Sequence, residues 1–88
     1  MNTDMFVWIA VIRSEDDEDG VYAFTSREKA KQFVIDTIVQ RHTDVGTPSR
    51  DIEAIVEQAE RDLECCEEFR DEKFKPLQDY CITCSKVN

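Results

Sequence analysis

The sequence predicts an α+β fold in a single domain, residues 1–88, with the order β-β-α-α-β. Three observations carry that expectation. Residues 5–13 read MFVWIAVIR, a run of β-branched and aromatic side chains. A helix-start signature at Thr25 precedes apolar residues at helical spacing. After Pro76, Tyr80, Ile82 and Cys84 alternate with Cys81, Thr83 and Ser85, the two-residue period of a half-buried strand. A chain of 88 residues builds one core and no more, because a domain this small leaves roughly 40% of its unfolded-chain surface in water.

The first strand is apolar at both parities, which suits a central strand buried on both faces. Residues 14–20, SEDDEDG, form a polar turn, and residues 21–24 return as a second strand, completing an antiparallel hairpin. Thr25 and Glu28 make a capping box, each side chain accepting from the other residue's free backbone N–H. Ala30, Phe33, Val34, Thr37, Ile38 and Arg41 then recur at helical spacing over about residues 26–42, with Phe33, Val34 and Ile38 on the buried face. Gly46 and Pro48 interrupt the pattern.

Pro48 at a first helical position, or Ser49 as cap, starts a second helix with Asp51 and Glu53 in its first turns, where the macrodipole favours acids. Its apolar stripe is Ile52, Val56, Ala59, Leu63 and Cys66, and the spacing extends the helix to about Lys73, where Pro76 stops it. Two antiparallel helices return the chain to the end of the sheet where the first strand began. The last strand is therefore expected parallel to the first, in a three-stranded sheet of order 2-1-3 with both helices on one face.

Apolar residues are 41% and charged residues 35%, too apolar for a disordered acidic tail. The longest apolar run, from Met5 to Ile12, falls far short of the ~20 residues of a membrane helix. Asp4 precedes that run and no Lys or Arg does, so it makes a poor signal peptide, and a cytoplasmic protein starting at Met1 is expected. A net charge of −9 repels nucleic acid and anionic lipid, so the expected partner is the basic surface of another protein.

Two acidic features fit such a partner. Glu15, Asp16, Asp17, Glu18 and Asp19 crowd the hairpin turn. Counted as a calcium loop, the turn has acids at places one, three and five and Gly20 at six, but place twelve is Ser26 where a bidentate Glu is needed. The turn is either a solvated tip or a negative prong. On the second helix, Glu53, Glu57, Glu60, Glu64, Glu68 and Asp71 recur every three or four residues as one ridge. At ~1.5 Å rise per residue the carboxylates stand about 4.5–6 Å apart, comparable to the ~3.4 Å phosphate repeat of a nucleic-acid strand. A long exposed helix also needs charge for solubility. However, like charges at these spacings weaken a helix slightly, which favours partner recognition over solvation alone.

Cys65, Cys66, Cys81 and Cys84 include one C-x-x-C and one vicinal pair. A helix points Cys65 and Cys66 about 100° apart and a strand turns Cys81 and Cys84 to opposite faces, so convergence on zinc is poor. Packed thiols are the first reading, a disulfide second and zinc third. His42, the only histidine, sits near a helix C-terminus, where a protonated ring is mildly stabilising. No local signature selects a nucleophile beside it, and two glycines leave no glycine-rich phosphate loop. No catalytic residue, metal ligand or cofactor is assigned.

By type, in its small size, its SEDDEDG turn and its ridge from Glu53 to Asp71, the chain resembles the compact acidic inhibitors encoded by phages, including anti-CRISPR proteins and other DNA mimics. The resemblance implies an inhibitor in the host cytoplasm that docks on the basic groove of a nucleic-acid-handling defence protein, such as a nuclease complex. The residues expected to bind are the six of the ridge and the five of the turn. Two alternatives stand beside it. One is a cysteine-based metal- or redox-responsive module. The other is a homodimeric adaptor in which Arg27, Lys29, Lys31 and Arg41 meet the ridge of a second copy.

Overall fold

A computed structural model describes residues 5–14, 20–73 and 77–87. The chain folds as β1 (Met5–Ser14), β2 (Gly20–Phe24), α1 (Arg27–Asp44), α2 (Ser49–Cys65), β3 (Glu68–Asp71) and β4 (Gln78–Val87). The α+β class holds, but the sheet has four strands, in the order β2-β1-β4-β3, and every pairing is antiparallel. The expected sequence of strands beside β1 survives: β1 lies between β2 and the final strand.

The unexpected strand, β3, corrects two expectations at once. The second helix stops at Cys65 and does not run to Lys73. Beyond it Glu67 takes a left-handed backbone, φ 59°, which turns the chain off the helix axis, and its carbonyl accepts from the Ile82 N–H at 2.9 Å. Phe69 and Asp71 then face inward while Glu68 and Arg70 face out, a strand's alternation. One added strand reverses the chain once more, so the last strand runs antiparallel to β1, where a three-stranded layout would have made it parallel. The interruption proposed at Pro76 lies outside the described residues.

Helix α1 starts one residue later than the capping box suggests. Ser26 is the cap, its hydroxyl accepting from the Lys29 N–H at 3.2 Å. The helix ends in a Schellman turn: Gly46, at φ 83°, donates to the Thr43 carbonyl and Thr47 to the His42 carbonyl. Ala30, Val34, Ile35 and Ile38 point into the core, and Phe33 is half-buried against the rings of Tyr22 and Phe24, at 4.6 and 5.2 Å. Helix α2 contributes Ile55, Ala59 and Leu63; Ile52 and Val56 are only half-buried and Cys66 is exposed, so the core stripe lies to one side of the one expected. The sheet contributes Ala10, Ile12, Phe69, Tyr80 and Ile82 from one face only, the face that the helices cover.

The two helices are joined at their lower ends by charge. Helix α2 has no basic residue in its last turn. Arg27 of α1 supplies one, donating to the Leu63 carbonyl at 2.9 Å and the Glu64 carbonyl at 3.4 Å, where free carbonyls and the macrodipole attract a cation. An Arg27→Ala variant is expected to lose about 1 kcal/mol, measured by thermal or denaturant unfolding.

Candidate functional site

Four of the six ridge residues do form a line. Glu53, Glu57, Glu60 and Glu64 are all exposed on α2 and occupy one shoulder of that helix, because steps of four, three and four residues keep nearly the same azimuth. The other two leave the line. Glu68 is exposed but lies on β3, and Asp71 is buried, 2% exposed. A ridge of six therefore becomes a ridge of four, ended where the helix ends. The acids of the turn, Glu15, Asp16, Asp17, Glu18 and Asp19, lie outside the described residues.

The ridge borders an open groove between α1 and α2 of about 530 Å³. Its apolar lining is Val39, Ile52 and Val56, and Glu53, Glu57 and Glu60 rim it. Val39 is 37% exposed, an apolar residue off the buried stripe of α1. Combined with two half-buried α2 residues, that misplaced valine was the sequence signal for the groove. Lower down, Lys31 binds Glu64 Oε1 at 2.6 Å, and this bond, with the lysine's charge, holds the Glu64 carboxyl below its ordinary pKa. On the other side of α2, a cleft of about 640 Å³ against β3 mixes Arg61, Arg70 and Lys73 with its acids, so it carries no comparable ridge.

Most of the basic side of α1 is engaged within the chain. Arg27 caps α2, Lys31 pairs with Glu64, and Arg41 stands beside the buried Tyr80, whose phenol pKa burial raises and the guanidinium lowers. Lys29 donates to Thr25 Oγ1 at 3.3 Å.

The site that sequence reasoning missed is interior. His42 is 2% exposed; its Nδ1 lies 2.9 Å from Thr47 Oγ1 and its Nε2 2.5 Å from Asp71 Oδ2. An ionised carboxylate only accepts, so Nε2 carries the proton it receives. Asp71 Oδ1 also accepts from the Lys73 N–H at 3.2 Å. Hydroxyl, imidazole and carboxylate stand in a row, as in a nucleophilic triad. Asp71 lines the cleft against β3, while neither His42 nor Thr47 lines either cleft on α2, and the ring and the carboxylate are both buried. The row joins the end of α1, the α1–α2 turn and the edge strand β3.

All four cysteines are free thiols. Cys65 and Cys66 are exposed at the end of α2, each within reach of the other, and that neighbour raises the Cys66 thiol pKa. Cys81 and Cys84 point to opposite faces of β4, as the strand pattern requires. Burial and then the Glu68 carboxylate raise the Cys81 thiol. Among the described residues, no three His, Cys, Asp or Glu side chains are grouped to hold a metal ion, and no helix is long and apolar enough to cross a membrane. The chain matches no protein-family profile, no curated protein and no solved structure.

Proposed function

We propose that this chain is a binding protein with no reaction centre, which docks the acidic shoulder of α2 onto a basic surface of another protein, of the kind that holds nucleic acid. The observation that carries the reading is the line of Glu53, Glu57 and Glu60 along the rim of an open groove with Val39, Ile52 and Val56 in its lining. Carboxylates alone would suit solvation. Carboxylates beside an uncovered apolar strip offer a partner both attraction and surface to bury. From Glu53 to Glu64 the line spans about 16 Å at ~1.5 Å per residue, the reach of four or five phosphates along one strand at ~3.4 Å each. The protein acts as a stoichiometric inhibitor: it occupies the partner's Lys and Arg side chains, and phosphates lose access to them.

Capture of cellular proteins on two baits tests the reading. One bait is the wild-type chain and the other carries Glu53→Lys, Glu57→Lys and Glu60→Lys. A true partner is expected on the first bait only, and free duplex or single-stranded nucleic acid is expected to elute it. A retained protein that binds both baits equally and resists that competitor would defeat the proposal.

A further inference from the structure

The helices cover one face of the sheet, and the other face has no layer of described residues over it. On that open face β1 presents Val7, Ile9 and Val11, all half-buried, and β2 presents Val21, which is 66% exposed. The pattern explains why β1 reads as a strand buried on both sides: its second apolar row is written in the sequence, but nothing described within the chain packs on it. An apolar sheet face of this kind commonly serves as an interaction surface.

We propose that two copies of this chain associate through their open sheet faces, β1 of each lying over β4 of the other. Charge selects the second copy as occupant. The chain carries −9 overall, so most of its surface repels another copy. The ionic side chains on the described open face are Arg13 on β1, Glu68 and Arg70 on β3 and Asp79 on β4, two of each sign. The described strand residues of this face thus approach a second copy without net repulsion among themselves.

The register adds self-complementarity. Arg13 and Asp79 are directly opposite each other on the two central strands. A two-fold axis that exchanges β1 with β4 therefore exchanges Arg13 with Asp79, placing the guanidinium of each copy over the carboxylate of the other, twice. Asp79 is accessible for this contact: its side chain is 43% exposed, and Arg70 Nε stands 3.8 Å from its Oδ1, beyond hydrogen-bond length. The same operation sets Val11 over Cys81 and Ile9 over Thr83.

The area suits a weak dimer. Two strands of ten residues and two of five and four, at ~3.3 Å per residue and ~4.8 Å spacing, give a face of roughly 460 Å² per copy, about 900 Å² in all, the size of a transient contact. An affinity on the order of micromolar follows from so small a patch. Two aligned sheets of this size pack about 10 Å apart, which sets Cys81 inside the contact and leaves Cys84, on the helix side of β4, outside it.

Sedimentation or light scattering over about 1–300 µM tests the association. Wild type is expected to pass from 10.3 kDa to twice that mass. Arg13→Asp and Asp79→Arg each put like charges over one another in the homodimer, and each is expected to weaken it about tenfold or more. Mixed in equal amounts, the two variants have opposite charges at both contacts, so the mixture is expected to dimerise as wild type does. Should either variant fail to fold, maleimide labelling of wild type decides: the Cys81 rate, relative to Cys84, is expected to fall as protein concentration rises. A wild-type chain that stays monomeric throughout, a mixture no tighter than its components, or a Cys81 to Cys84 ratio independent of concentration would each overturn the proposal. Residue position separates this dimer from the proposed inhibitory contact, since Arg13 and Asp79 lie on the sheet and Glu53, Glu57 and Glu60 on α2.

Discussion

An Asp71→Ala chain is expected to lose about 3 kcal/mol of folding stability, at the lower end of what removing one member of a buried pair costs. The carboxylate is 2% exposed and holds both His42 Nε2, at 2.5 Å, and the Lys73 N–H, at 3.2 Å. Alanine removes the acceptor and leaves a cavity, and water has little access to replace it. For a domain of this size the melting temperature falls by about 12–24 °C. An exposed acid such as Glu53 changed to alanine should move stability by less than about 0.5 kcal/mol, which isolates the effect of burial. His42→Ala should cost about as much as Asp71→Ala, and the double variant should cost less than the sum of the two by more than about 1 kcal/mol, because the second change removes a bond already lost. Amide exchange at Phe69 and Asp71 should quicken most, since β3 is an edge strand tied by this row to the rest of the fold. Chemical unfolding of the four proteins checks the first claims. An Asp71→Ala midpoint equal to that of wild type would show the row to be incidental.

That pair is also where the sequence was hardest to read. Asp71 falls three residues after Glu68, so helical spacing assigns it to an acidic ridge, whereas in the fold it alternates with Arg70 as an inward residue of β3. Hydrophobic pattern cannot mark a strand whose two inward positions are Phe69 and a carboxylate, since one of the two carries no apolar signal. The partner that makes a buried Asp tolerable, His42, lies 29 residues away, and no local rule joins them. Elements with strong local signals were legible: the β1–β2 hairpin, the start of α1, the pairing of β1 with the last strand, and the exposure of Glu53, Glu57, Glu60 and Glu64. The end of α2 was not, because Glu67 holds a left-handed conformation for which glycine is the usual marker. Missing that residue hid β3, and missing β3 inverted the direction assigned to β4.

The shortened ridge also changes which residues test the proposed function. Glu64 is already bound to Lys31, so reversing it would disturb the packing of α2 on α1 as well as the surface charge. Reversal of Glu53, Glu57 and Glu60 leaves that bond and the buried Ile55, Ala59 and Leu63 untouched, and the triple lysine variant should fold normally. Its association with the captured partner should slow by about 10- to 100-fold at low salt, because rim charges steer encounter and like-charged surfaces repel. Dissociation should change less, since the apolar lining of Val39, Ile52 and Val56 remains. A control with Glu28→Lys, Asp36→Lys and Asp44→Lys on exposed positions of α1 shifts net charge equally at a different place. If position matters, this control should slow association far less than the ridge variant does. Raising salt from ~0.15 M to ~1 M shortens the screening length from ~8 to ~3 Å, and the rates of all three proteins should converge. Association rates measured across that series separate the alternatives: equal slowing by ridge and control assigns the effect to net charge, and no slowing by either makes the acidic shoulder a solvated surface and defeats the phosphate-mimic reading.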